Sequence, residues 1–316
     1  MRRPKPLYSA ATTVVLLWLL VGCAGRGGSH GDQQGAHPDN VGGKSETPQG
    51  AEGKIAFENF RRGNGDIYTI KADGTDPVRL TDHPAIDGDP TWSPDGGKIA
   101  FVTDRNGDDD IYAVNADGTG AVNLTDGPGF AWFPAWSPDG RKIAYSGIHN
   151  GGFEIYAMNA NGEDSVRVTD HPEDDSAPPW SPDAKKIAFM SDQNGNYEIY
   201  TANADGTSLA NVTSDPKGDQ HPAWSPNGGK IAFVSDRKGS WDVYTMSADG
   251  TGVERLTDRP GDEWFPEWSP DGRNIAFAGS RGRNEDIYTM IADGTGVERL
   301  TDLPGMVGSP SWRPVD

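Results

Sequence analysis

Tryptophan recurs in this chain at Trp92, Trp136, Trp180, Trp224, Trp268 and Trp312, each 44 residues after the one before. A period of that size, held without slippage, is the mark of one supersecondary unit stacked against copies of itself. What fills the period decides the fold.

Four short apolar runs fill it, separated by turn signals. In the copy that starts at Trp92 the first run stops at Ser93-Pro94-Asp95-Gly96, where proline presets φ and glycine accepts positive φ. The second, Lys98-Ile99-Ala100-Phe101-Val102, mixes β-branched and aromatic residues as a strand does. A polar loop, Asp104 to Asp109, leads to Asp110-Ile111-Tyr112-Ala113-Val114, and this third run ends at the hairpin signal Ala116-Asp117-Gly118-Thr119. Ala121 to Thr125 is the fourth. The other copies agree: the Ile-Tyr pair returns at Ile67-Tyr68, Ile155-Tyr156, Ile199-Tyr200 and Ile287-Tyr288, and as Val243-Tyr244. With 42 glycines and 24 prolines among 316 residues, the composition suits many short strands joined by turns.

The ends of the array predict how it closes. The first unit begins at Lys54-Ile55-Ala56-Phe57 without a tryptophan strand, and the last fragment, Ser309 to Pro314, is a tryptophan strand with nothing after it. The expected fold is therefore all-β: a six-bladed propeller of four-stranded antiparallel blades over residues 54–316, its ring closed by the C-terminal strand pairing into the N-terminal blade. Closure removes the edges an open array would expose. Losing the last dozen residues is expected to open the ring.

Residues 1–22 read as a signal peptide, with Arg2, Arg3 and Lys5 ahead of a mostly apolar Ala10–Val21. That apolar stretch is shorter than the roughly 20 residues a membrane-spanning helix needs. Cys23 is the only cysteine, so no disulfide forms within the chain. Residues 23–53, Gly-, Ser- and Gln-bearing without apolar periodicity, read as a flexible linker. A tether of this length reaches about 30 Å. Cleavage after residue 22 removes three of the 28 basic residues and leaves 25 against 47 acidic ones, a net of −22. Such a surface repels phosphates, which argues against nucleic acid as a partner. A cationic peptide, a cation or a neutral sugar suits it better.

The run from Pro-x-Trp-Ser-Pro-Asp-Gly through Lys-Ile-Ala-Phe and Asp-Ile-Tyr to Ala-Asp-Gly-Thr and Arg-Leu-Thr-Asp resembles the WD40-like repeat of TolB-type β-propellers. The resemblance covers about residues 54–316. It implies an extracytoplasmic propeller that pairs with an envelope protein, such as the peptidoglycan-associated lipoprotein, through the mouth of its channel. The family's N-terminal α/β domain has no counterpart before Lys54, where the sequence offers a signal and a linker. Leu20-Val21-Gly22-Cys23 is similar to the lipobox of bacterial lipoproteins, which implies a diacylated Cys23 anchoring the chain to a membrane, on the periplasmic side or at the cell surface. Two acyl chains are what stable anchoring requires.

Function is grafted where the copies disagree. Just before the proline that precedes each tryptophan they read Asp87-Gly88-Asp89, Ala131-Trp132-Phe133, Asp175-Ser176-Ala177, Asp219-Gln220-His221, Glu263-Trp264-Phe265 and Val307-Gly308-Ser309. Trp132-Phe133 and Trp264-Phe265 lie three units apart, so they are expected to face each other across the ring. Asp87, Asp89, Asp175, Asp219, His221 and Glu263 fall between them. A concave mouth with two aromatic pairs and several carboxylates suits a protein, a peptide or a glycan; the same aromatics would serve equally as a packed plug. His83 and His171, in equivalent Asp-His-Pro positions, and His221 offer a divalent cation a set of ligands, though turn capping accounts for the first two. Asp104-Arg105 and Asp236-Arg237 are expected to form local ion pairs with neighbouring turns. The expected protein is a monomeric, non-catalytic binding propeller without a cofactor. The alternative is a polysaccharide lyase or glycosidase with an acidic and histidine-bearing mouth, as in propellers similar to oligogalacturonate lyase.

Overall fold

A computed structural model describes residues 53–314 apart from residues 128, 150–151 and 282–283. The signal peptide, Cys23 and nearly all of the linker lie outside the described residues. Every regular element is a strand, and the alternation of Lys-Ile-Ala-Phe with Asp-Ile-Tyr is read out directly as antiparallel pairing. In β5 (Lys98–Thr103) and β6 (Asp110–Asn115), Ile99 stands opposite Val114 and Phe101 opposite Tyr112. The tryptophan strand β4 (Asp87–Trp92) flanks β5, and the two-residue β7 (Val122–Asn123) flanks β6.

The same order recurs from the inner strand outward in β8 (Ala131–Trp136), β9 (Lys142–His149), β10 (Gly152–Asn159) and β11 (Val166–Arg167), in β12 (Asp175–Ser176), β13 (Lys186–Ser191), β14 (Glu198–Asn203) and β15 (Ala210–Asn211), and in β16 (Asp219–Trp224), β17 (Lys230–Ser235), β18 (Asp242–Ser247) and β19 (Glu254–Arg255). The expectation of six four-stranded blades is corrected here. Four sheets have four strands each, and the other eight strands form a single sheet. In that sheet β20 (Glu263–Trp268), β21 (Asn274–Arg281), β22 (Asn284–Ile291) and β23 (Glu298–Arg299) are joined to β24 (Met306–Trp312), β1 (Lys54–Arg61), β2 (Asn64–Lys71) and β3 (Val78–Arg79). The link is a parallel pairing of β22 with β24 at Glu285 and Met306. β21 and β22 have eight residues each where β5 and β6 have six, and Glu285 comes alongside the start of β24; among the described residues the equally long β9 and β10 make no such link to the next sheet. As expected, β24 pairs antiparallel with β1, with Trp312 opposite Ile55. Across this junction Trp92 N–H donates to Ser311 Oγ at 3.2 Å, and the Arg313 guanidinium lies 5.3 Å from the Trp92 ring centre.

The core lies between consecutive sheets. Trp268, Ile275, Phe277 and Met290 of the eight-stranded sheet pack on Ala223, Val234 and Val243 of β16–β18. Trp92, Ile99 and Phe101 pack on Ala56 and Ile67. Each fully buried side chain of this kind contributes about 1.5–3 kcal/mol, so the ring is held by repetition of one apolar seam.

The turn residues are accounted for by hydrogen bonds. Ser93 Oγ donates to Asp95 Oδ1 at 2.6 Å and accepts Lys98 N–H, while Asp95 Oδ1 accepts Gly97 N–H. These bonds, led by that from Ser93, hold the Asp95 carboxyl below its usual range. The Leu-Thr ending has a comparable cause. The outer strands are two residues long, so each leaves a buried N–H on the third strand without a ladder partner. Thr81, Thr125, Thr169, Thr213, Thr257 and Thr301 supply the acceptor, at 2.8–3.0 Å from Ile67, Ile111, Ile155, Ile199, Val243 and Ile287.

Candidate binding site at the channel mouth

Five of the six inner strands carry the same irregularity. In β20 the pairing with β21 runs Trp264–Ala278 and then Glu267–Ala276, so Phe265 and Pro266 share one place in the ladder. Equivalent shifts occur in β4, β8, β16 and β24. This is a β-bulge, a device that bends a strand and re-aims a side chain. The residue before the proline takes left-handed backbone angles in all six copies: Asp89, Phe133, Ala177, His221, Phe265 and Ser309 have φ of 48–55°. None is glycine, and such conformations cost about 1–3 kcal/mol each. Six strained residues thus ring one end of a central channel of about 480 Å³, lined also by the Trp and Pro residues of the repeat.

Four of the ten expected mouth residues belong to this ring. The His221 imidazole stands 4.1 Å from the Phe265 ring, and 6.1 Å from both Phe133 and Trp264, centre to centre. Aromatics from β8, β16 and β20 thereby meet on one arc. Burial depresses the His221 pKa to about 3, so the ring is a neutral aromatic at physiological pH. Asp89, on the opposite arc, has one carboxylate oxygen 2.8 Å from Ser309 Oγ.

The other six are engaged elsewhere. Trp132 Nε1 donates to Asp109 Oδ2 at 2.9 Å, and its ring packs on Phe130 and Phe153. Trp264 packs on Trp241 at 4.8 Å. The two tryptophans are therefore not a facing pair in the channel wall. Asp87, Asp175, Asp219 and Glu263 open their strands as buried groups. Asp87 pairs with Arg105 and Asp219 with Arg237, both at 2.8 Å, which are the local ion pairs expected of Arg105 and Arg237. Asp104 accepts Ile86 N–H, and Asp236 accepts Gly218 N–H while its other oxygen lies 3.8 Å from Lys217 Nζ. Glu263 Oε2 accepts Thr257 Oγ1 at 2.6 Å, and burial lifts its carboxyl to about 7.

The three histidines do not converge. His83 Nδ1 accepts Ala85 N–H at 3.1 Å, a turn cap, while His171 Nδ1 lies 3.2 Å from Asp175 Oδ2. Glu154, His171 and Asp175 place potential ligand atoms within 4.8 Å of one another. Glu154, however, is already bonded by the Arg167 guanidinium and by Thr169 Oγ1, so a cation there would face a fixed positive charge.

Two carboxylates that sequence reasoning passed over enter the site. Glu58 stands where other copies have Val102, Ser146, Met190, Val234 and Ala278. Gly88 and Gly308 make room for it, since a Cβ on either would lie 2.6 or 2.9 Å from its oxygens. Its Oε2 accepts Asp89 N–H at 3.0 Å. Burial, then the Asp89 charge, raises the Glu58 pKa to about 8, and burial raises Asp89 to about 6. Glu267 lines the channel where equivalent positions are Thr91, Ala135, Pro179, Ala223 and Ser311. A carboxylate among small or apolar counterparts was the signal that could have found both.

Inner strands arranged about one central channel, with the last strand paired to the first, define a closed β-propeller. Residues 41–129 and again 119–220 match the family model of the TolB beta propeller domain, stretches that together cover more than half of the 316 residues. The chain belongs to the TolB β-propeller family. Among solved structures it is similar to TolB from Acinetobacter baumannii, with 25% identity over 85% of this chain and 68% of that one, at a TM-score of 0.77. A putative TolB from Agrobacterium tumefaciens matches at 23% identity over 84% and 99% of the two chains, with a TM-score of 0.68. An oligogalacturonate lyase in complex with manganese shares the fold at 17% identity over 78% and 73%, with a TM-score of 0.58. No curated protein matches the sequence.

Proposed function

We propose that this protein is an extracytoplasmic, lipid-anchored TolB-like propeller that holds a protein or peptide of the cell envelope at its channel mouth. One observation carries the reading: six non-glycine residues are kept at strained backbone angles around one end of the channel, and three of the four inner strands that contribute an aromatic, histidine or carboxylate there bring Phe133, His221 and Phe265 together. The strained conformation is common to all copies, and what differs from copy to copy is the side chain it aims at the rim. A neutral aromatic arc beside carboxylates accepts apolar side chains at one edge and hydrogen-bond donors at the other. Anchoring through Cys23 and the linker of residues 24–53 would tether the propeller clear of the membrane.

Two experiments test it. Capture from solubilised envelope should recover a discrete protein with the wild-type chain and lose it with Phe133→Ala/Phe265→Ala. Equal recovery by both would contradict the mouth as the site. Metabolic labelling with a fatty acid should mark the wild type and not Cys23→Ala; an unlabelled wild type would remove the anchor from the account.

A further inference from the structure

The channel beneath the mouth has two unlike walls. Glu267, Ser309, Ser311, Asp89 and Thr91 come from the three adjoining inner strands β20, β24 and β4 and place oxygen atoms along one side. Across from them β8 and the segment after β12 present Ala135, Ala177 and Pro179, which offer only carbon beyond the backbone. Within this space Glu267 is peculiar. Among the described residues no donor reaches its carboxylate and no basic side chain pairs with it. Burial alone raises its pKa to about 8, with no neighbouring charge contributing. Thr, Ala or Ser at the same place in other copies shows that the fold does not need a carboxyl there. Glu267 is half-buried in the channel wall; a carboxyl so placed without partners costs stability, and such perturbed groups in a cavity mark functional positions.

We propose that this channel is a subsite for a protonated amine on an apolar stem, its ammonium group received by Glu267 and the serine and threonine hydroxyls, and its stem laid against the Ala135–Pro179 wall. A lysine side chain of the segment held at the mouth and a free alkylamine share this chemistry. The first source rests on the binding reading above; the second does not. The charge balance is explicit. At pH 7 the carboxyl of Glu267 holds its proton; the arriving ammonium favours the carboxylate, the O–H bond breaks, and one proton passes to the buffer. The other titratable groups here are Asp89, raised to about 6, His221, lowered to about 3, and, behind Asp89 and bonded to its N–H, Glu58, raised to about 8. Asp89 and His221 are already predominantly deprotonated at pH 7, whereas Glu58 also holds a proton, so the Glu267→Gln variant is what assigns the release to Glu267.

Calorimetry of the whole chain at pH 7, in two buffers of different ionisation enthalpy, tests the assignment with hexylammonium and with a blocked lysine peptide as probes. Expected are binding of at least one probe, release of close to one proton, and an affinity at least tenfold weaker for hexanol or a norleucine peptide. Glu267→Gln should abolish the proton release and weaken amine binding at least tenfold. Ala135→Leu, which leaves the carboxyl intact and fills the opposite wall, should weaken it too. Preference for the peptide would assign the source to a polypeptide, and preference for hexylammonium to a small molecule. Amine binding unchanged in Glu267→Gln, binding without proton release, or calcium uptake with no amine binding would each overturn the proposal. These probes need no envelope partner, so failure here leaves the capture experiment to stand or fall separately.

Discussion

Thr257 shows how a single side chain holds this fold. Its hydroxyl accepts the buried Val243 N–H at 2.9 Å and donates to Glu263 Oε2 at 2.6 Å, so one oxygen satisfies a backbone donor and a buried carboxyl at once. Thr257→Val keeps the shape and removes both bonds. Leaving buried polar groups unsatisfied costs about 1–3 kcal/mol, and urea denaturation should show a loss in that range with an unchanged m-value. A variant as stable as wild type would mean that the repeated threonine is replaceable. The same residue illustrates legibility: Leu-Thr is visible in the sequence as a strand ending, but its reason depends on an outer strand of two residues, and that length has no signal of its own.

At the scale of elements, the bulge is the feature that places side chains at the mouth. Phe265 pays for its position with φ near 52°. Replacing it by alanine removes the ring and keeps the strain, whereas glycine removes both. Left-handed angles cost a non-glycine residue about 1–2 kcal/mol, part of which glycine returns through the unfolded chain. Phe265→Gly should therefore be more stable than Phe265→Ala by about 0.5–1 kcal/mol in thermal melts. The reverse order would show that the bulge is not strained. Because the bulge places two residues against one, strand alternation counted back from each tryptophan fails upstream of it. The sequence could therefore locate the variable segment without showing that Phe133 and Phe265 join the channel wall while Trp132 and Trp264 pack between loops and sheets. The sheet count was hidden for a related reason. Two six-residue strands with six residues between them and two eight-residue strands with two between them have the same total length, so the period of 44 is kept although the strands differ.

For the molecule as a whole, the raised carboxyls set a direction for stability against pH. Glu58 and Glu267 hold their protons to about pH 8 in the folded chain, against 4.5 for an ordinary glutamate. The folded state then binds more protons than the unfolded one between those limits. Their contribution is complete below pH 4.5 and is lost as pH rises through about 8. The thermal midpoint should fall across this window, and Glu267→Gln should flatten the fall. A midpoint rising from pH 5 to 8 would contradict the assignment. The ring itself was legible from its two ends, since an orphan tryptophan strand at Trp312 matches an N-terminal unit that lacks one. The carboxylates inside it were not, because attention to the variable rim left Glu58 and Glu267 within strands that read as structural.

The claim that ties these scales together is that one end of the channel holds an envelope protein. A photoreactive amino acid placed at Ala177, the smallest member of the strained ring, should crosslink in living cells to one discrete envelope protein through a defined segment, while the same group at Thr207, on an exposed hairpin, should not. Crosslinks of equal yield and identity at both positions, or none at Ala177, would contradict the account.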